Sequence, residues 1–469
     1  MKQLRDYTYD PNSVVCPFDK TVNKVINCDI IGSGYCNTEI DKAVAQYKGM
    51  YSNTHSNNNN GQLMSQFIEE TRTVLRHHFN VGNDYVVLFD GSGSTMCFNH
   101  IVHSLGIDKQ WIVLLSENEH NSNFIPWVMS GAKIEFVPTK PYYNYVYTEV
   151  LTNMLRQIRN SNPSCPIVFS CNIGSNVTGT LQNYKELYQI CKAYKCIFGM
   201  DCAMCAPYTM IDANYCDFLA FSPHKFYGGD STPGVLIAKK SMFLNKNPFC
   251  PGGGSIRIAS KDMIIFSNNI ETREQAGTPN ILGIIKIRYI IQLKEQNFMY
   301  IHNREHELTK LLYNYVRSYC PNFRILDIPN NVSDTTFNQL LVNRLPVISF
   351  QVFGASSKPI HYNLIVKLLS DKFAIMARGG VQCCPILAQK YLKGTCIQKV
   401  TNDLLNDNGL DCEYGFVRIS LNYLHTPEEI QRIFEALKWI NDNAYQYTEY
   451  YNYNCKSNLY TCKLTGMNM

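Results

Sequence analysis

Nowhere in this 469-residue sequence does an apolar run approach the roughly 18 residues that a membrane-spanning helix requires, and the first twenty residues hold no apolar signal-like core. Membrane insertion is therefore not expected. Dense Lys/Arg runs with interleaved aromatics are also missing, and a net charge of +5 is small for this length, so nucleic-acid binding has no support. Charged residues make up only 17% against 45% hydrophobic, which excludes a disordered or fibrous chain. What remains is a globular protein with a large core, above the usual single-domain size. Internal repeats are absent. The 19 cysteines lack the spacing of a disulfide framework and are scattered through apolar segments, as expected of packing residues in a reducing, cytoplasmic compartment. Cys202-Ala-Met-Cys205 has metal-like spacing, but no second pair accompanies it, and no metal site is assigned.

What is present is alternation. From Asp84 to about Lys240, short apolar runs alternate with helical patterns, the signature of a mostly parallel sheet covered by helices. Strands are expected at Tyr85 to Phe89, Trp111 to Ser116, Lys133 to Val137, Ile167 to Cys171, Cys196 to Met200, Asp217 to Phe221 and Gly234 to Lys239. Helices are expected over Met96 to Ser104 and Lys185 to Tyr194, where apolar residues recur at three- and four-residue spacing. A long helical stretch, Ile281 to about Val316, leads into a smaller α+β region. There the pattern gives strands at Pro346 to Phe353 and Tyr414 to Leu421, and helices at Tyr362 to Phe373 and Pro427 to Asn441. The tail after Asn443 is rich in Tyr and Asn and reveals no role.

Ligands of such sheets bind beyond the carboxyl ends of the strands, and four features fall there. Lys225, in Phe221-Ser-Pro-His-Lys-Phe-Tyr-Gly-Gly229, closes an apolar strand. Desolvation there disfavours the ammonium and frees the lone pair, as a Schiff-base lysine requires. Asp90-Gly-Ser-Gly-Ser-Thr95 joins a strand to a helix, so its backbone N–H groups and hydroxyls can surround a phosphate. Asp201 closes another strand, where a buried carboxylate wants a cationic partner such as a pyridinium nitrogen; the bland alternative is a cap on the next turn. His120 follows a further strand and can stack on a flat heteroaromatic ring, although a lone histidine is more often structural.

In combination these features resemble the class V aminotransferase family, the fold type I pyridoxal-phosphate (PLP) enzymes that include the cysteine desulfurases, over roughly residues 29 to 440. The fold implied is α/β: a mostly parallel seven-stranded sheet with helices on both faces, plus a smaller α+β C-terminal domain. The implied organisation is an N-terminal segment (1–60) packing on the C-terminal domain, a large PLP-binding domain (61–290), a small domain (291–442) and a tail (443–469). Ser222-Pro-His-Lys225 is similar to the family's Ser-x-His-Lys, which implies that Lys225 carries the cofactor and that Ser222 and His224 lie near its phosphate. Gly93, Ser94 and Thr95 match the phosphate loop, His120 the stacking histidine, Asp201 the partner of the pyridine nitrogen and Asn176 the asparagine beside the ring. Thr278, in Glu274-Gln-Ala-Gly-Thr-Pro-Asn280, matches the threonine that reaches the phosphate of the partner subunit, which implies a homodimer with shared active sites.

Arg418 matches the arginine that holds the substrate α-carboxylate, a task for a bidentate guanidinium. The segment Ala377-Arg-Gly-Gly-Val-Gln-Cys-Cys384 resembles the desulfurase loop whose cysteine takes the substrate sulfur, which implies that role for Cys383, with Arg378 beside it as a further substrate-site residue. The chain departs from that pattern: Val381 and Gln382 stand where two histidines are common, Cys384 replaces a small residue, and Met204 stands where desulfurases carry a glutamine. The resemblance implies cysteine as substrate and a separate sulfur-acceptor protein. Transamination, or an epimerase or lyase reaction on another amino acid, is the alternative within the family. A non-catalytic dimeric binding protein is the alternative outside enzymology.

Overall fold

A computed structural model describes residues 4–354, 358–392, 402, 406 and 414–466. One sheet contains β1 (Tyr85–Asp90), β2 (Ile112–Ser116), β3 (Lys133–Val137), β4 (Ile167–Asn172), β5 (Ile197–Asp201), β6 (Phe218–Phe221) and β7 (Gly234–Lys239). Their spatial order is β1-β7-β6-β5-β4-β2-β3. Strands β2 through β6 pair in parallel, while β7 runs antiparallel to both β1 and β6. Period-two alternation assigns each strand's residues to one face or the other. Tyr85, Val87 and Phe89 enter one core with Leu219 and Phe221, and Val86 and Leu88 enter a second with Phe218 and Ala220. Helix α1 (Asn59–His78) covers the first face through Met64, Ile68 and Leu75, whereas α2 (Gly93–Leu105) covers the second through Cys97, Phe98 and Ile101. A sheet buried on both faces explains why its strands read as continuous apolar runs.

Most element boundaries differ from the sequence expectation by one to three residues, and two of these shifts have a plain local cause. Trp111 lies before β2 because its N–H closes a turn onto Asp108 O at 3.1 Å. Helix α2 starts at Gly93 rather than Met96, since a φ of +62° there turns the strand directly into helix. Ser94 and Thr95 are thereby first-turn residues.

Helix α3 (Tyr184–Ala193) closes the first core with Leu187 and Cys191. Helix α4 (Ile281–Tyr319) has 39 residues, a rod of about 58 Å at 1.5 Å per residue. Its early residues, Ile284, Ile287 and Ile291, belong to the large-sheet core; Leu308, Leu312 and Val316 belong to another. That second region holds β8 (Phe323–Ile325), β9 (Val347–Val352), β10 (Arg378–Gly380) and β11 (Phe416–Ser420), antiparallel in the order β8-β9-β11-β10. Helices α5 (Tyr362–Phe373) and α6 (Pro427–Asn443) pack on it through Ile365, Leu368, Ile433 and Leu437. Near the N-terminus, Ile26–Asn27 pairs in parallel with Ile375–Met376, and Cys28 O accepts from Ser420 N at 2.8 Å. In the tail, Tyr451–Asn454 and Leu459–Cys462 form an antiparallel ribbon whose Tyr451 and Cys462 join the same core. No helix among the described residues is long and apolar enough to cross a membrane.

Gly199, inside β5, shows how close the packing is. A Cβ there would lie 1.9 Å from the Phe218 ring. Gly199→Ala is expected to lower stability by roughly 1–3 kcal/mol through overpacking, read as a shift of the urea midpoint.

Candidate active site

The parallel register sets the site. Asn172 stands opposite Asp201, and Asp201 opposite Ala220, so three strand ends meet at one edge of the sheet. Three residues beyond Ala220 the chain enters a single 3₁₀ turn, Pro223–Lys225, closed by Lys225 N donating to Ser222 O at 3.0 Å. This turn presents Lys225 to a cavity of about 180 Å³ that Asp201, Asn176 and Arg418 also line.

Burial lowers the pKa of Lys225; Asp201 opposes the fall, and the Arg418 and Arg378 guanidiniums add to it. Burial raises the pKa of Asp201, against the pull of Ala203 N–H, which donates to its Oδ1 at 2.9 Å, and of Lys225. Among the described residues, no hydrogen bond engages Lys225 Nζ or the second Asp201 oxygen.

The glycine loop supplies the opposite wall. Gly93 cannot carry a side chain, since a Cβ would lie 2.8 Å from Ser222 Oγ and 2.9 Å from His224 Cε1. That close approach lets Ser94 N–H donate to Ser222 Oγ at 2.9 Å, while Ser222 Oγ lies 3.2 Å from Ser94 Oγ. Thr95 Oγ1 is 2.6 Å from Ser122 Oγ. Ser94, Thr95, Ser222 and His224 all line the cavity. Three hydroxyls therefore gather at the N-terminus of α2, where backbone N–H groups attract anions.

His120 lines the cavity as well, and its Nδ1 accepts from Ser122 N–H at 3.1 Å. Burial, then the charges of Lys225, Arg378 and Arg418, lower its pKa to about 3, so the ring is neutral with its proton on Nε2. Beneath it Glu119 is fully buried, accepting from Ser116 Oγ, Asn123 Nδ2 and Asn172 N, and burial raises its pKa to about 8. These bonds tie the His120 loop to the ends of β2 and β4.

Arg418, on β11, is 1% exposed. It forms an ion pair with Asp29 and donates from Nη1 to Asn176 O at 3.1 Å, while its Nε is buried without a partner among the described residues. Arg378 lines the cavity and donates from Nη2 to Cys383 Sγ at 3.3 Å. Cys383 is half-buried and outside the cavity lining, joined to it through Arg378. Thr278 is exposed and apart from the cavity in this single chain. Met204 does line it.

Sequence reasoning missed Ser122, Asn172 and Asp29. The His-x-Ser spacing was a usable signal for Ser122, whose N–H bonds back to the histidine two residues earlier. Asp29 gave none, because its partner is 389 residues away.

The aminotransferase class-V family model matches residues 33–433. A probable cysteine desulfurase of Xylella fastidiosa (strain 9a5c) is 26% identical over 388 residues, covering 80% of this chain and 81% of that protein. One from Mycoplasma pneumoniae is 26% identical over 428 residues, covering 88% and 91%. Among solved structures, the apo cysteine desulfurase from Thermococcus onnurineus NA1 superposes with a TM-score of 0.73 at 22% identity, covering 89% of this chain and 95% of that one. The NifS-like protein from Rickettsia africae ESF-5 gives 0.68 at 20% identity, covering 89% and 99%. The fold is that of the type I PLP-dependent enzymes, with its smaller α+β domain. With the family match running from the N-terminal segment into α6, this chain belongs to the class-V aminotransferase family.

Proposed function

We propose that the chain is a PLP-dependent cysteine desulfurase-like enzyme, converting cysteine to alanine and holding the sulfur as a persulfide on Cys383. The carrying observation is the Cys383 thiol beside the Arg378 guanidinium, coupled by that arginine to the cavity of Lys225 and Asp201. A thiol next to a fixed positive charge is the setting of a nucleophilic cysteine. The names of the relatives in Xylella and Mycoplasma support the same chemistry.

The residues present fit the cofactor. Lys225 Nζ is an unengaged amine, the second Asp201 oxygen an unengaged acceptor for a ring N–H, and Ser94, Thr95 and Ser222 with the start of α2 are suited to a phosphate. Neutral His120 is a flat partner for the ring. When bound, the cofactor supplies an electron sink. Lys225, its pKa lowered, takes and returns protons at the substrate α-carbon. Arg418 holds the α-carboxylate, which would satisfy its buried Nε. Cys383 Sγ attacks the substrate sulfur, so an S–S bond forms as the C–S bond breaks; the carbon takes a proton and leaves as alanine. A separate acceptor protein then removes the sulfur.

Homodimerisation belongs to this reading. The ribbon Ile256–Ala259 and Ile264–Phe266 exposes Ile258, Met263, Ile264 and Ile265, and Gly277 N donates to Gly253 O at 2.7 Å, tying the Thr278 segment to its base. An exposed apolar ribbon beside Thr278 suits a second copy that shares the phosphate site. The described cysteines are all free thiols, which fits a cytoplasmic setting.

Three variants test the proposal. Lys225→Ala is expected to lose the absorbance band of bound cofactor, and borohydride should no longer fix the cofactor to the chain. Cys383→Ala should keep that band but lose alanine formation from cysteine; unchanged turnover would remove the desulfurase reading. Arg418→Ala should raise the KM for cysteine by about 10- to 100-fold, the loss of a charge-assisted contact, with cofactor content retained; equal loss of both would assign the arginine to the cofactor.

A further inference from the structure

The loop bearing Cys383 has a backbone that its residues do not favour. Gln382 and Cys383 have φ of +56° and +58°, and each carries a Cβ that makes this region costly. Gln382 is 2% exposed, and its Oε1 is buried without a hydrogen bond among the described residues. Such a conformation persists only where its surroundings over-determine it.

Those surroundings lie largely on the other domain. Asn121 N donates to Cys383 O at 2.7 Å. Asn176 Nδ2 donates to Gln382 O at 2.9 Å, and Cys384 Sγ donates to Asn176 Oδ1 at 2.9 Å. One amide therefore grips the loop on both sides of Cys383. Asn176 is 6% exposed and Cys384 fully buried, so loss of the thiol would strand a desolvated carbonyl oxygen. The main chain of Asn176 meanwhile accepts from Arg418 Nη1. The side chain assigned by resemblance to the cofactor ring is thus engaged by the loop.

We infer that Cys384 and Asn176 form a latch that positions Cys383 for sulfur transfer, with Cys384 acting as a positioning residue and not as a second sulfur carrier. The inference rests on the desulfurase reading, and the latch geometry is independent of it. Without the latch, the loop relaxes from its left-handed backbone and Cys383 leaves the Arg378 guanidinium.

The test uses the cofactor-loaded protein and compares Cys384→Ala, which lacks the donor, with Cys384→Ser, which keeps one. Iodoacetamide labelling of Cys383, located by fragment mass spectrometry, should become about five- to tenfold slower in Cys384→Ala, because loss of one buried hydrogen bond lets the thiol leave the guanidinium that favours its thiolate. First-turnover alanine formation should fall by a similar factor while cofactor absorbance stays unchanged. Cys384→Ser should lie near wild type in both measurements. Unchanged labelling in Cys384→Ala, or equal effects of the two variants, would overturn the latch. If Cys383→Ala still made alanine, the sulfur-transfer reading would fail by itself, and the labelling rates would still decide whether the latch exists.

Discussion

Two opposite charges removed from water, Asp201 and Lys225, set the terms for the rest of the site. Among the described residues neither makes a close ion pair, and burial pushes each toward its neutral form. Charges placed so are costly, and they persist only where something compensates them. The parallel sheet imposes this arrangement. Its register stops β4, β5 and β6 at one edge, and the 3₁₀ turn after β6 brings the lysine back over the carboxylate. A cationic ring nitrogen against Asp201 and a covalent partner for Lys225 would satisfy both groups at once.

The remaining side chains fit around that pair through constraints of space and charge. Gly93 exists because Ser222 and His224 occupy the place of a side chain. His120 is neutral because it is buried among three cationic groups, and its orientation follows from the backbone N–H of Ser122. Glu119 anchors that loop from below. The small domain contributes Arg378 and Arg418 to the cavity and Cys383 beside Arg378, so the geometry of the site needs both cores in register. Helix α4 packs into each of them, and Asn176 binds the small-domain loop directly.

Much of this was legible in one dimension. Strand positions from Tyr85 to Lys239 could be read because both faces of the sheet are covered, which leaves continuous apolar runs between turn signals. Lys225, Asp201 and the glycine loop could be read because each sits where a strand pattern ends. Less was visible where local signals fall silent. Gly93 starts the helix earlier than periodicity suggests, through a backbone angle that no apolar pattern records. The Tyr- and Asn-rich tail forms a ribbon because its Tyr451 and Cys462 find a core that other segments build.

The sequence by itself determined the alternation of strands and helices, the edge at which the site lies and the groups gathered there: a glycine loop with hydroxyls, a lysine amine and an aspartate carboxylate. These follow from periodicity and turn chemistry, which act over a few residues. Tertiary structure alone decided that Asp29 pairs with Arg418, that Thr278 stands apart from the cavity, and that Asn176 grips the loop of Cys383. Such contacts join residues up to 389 positions apart, and only the packing of one domain against another fixes distances on that scale.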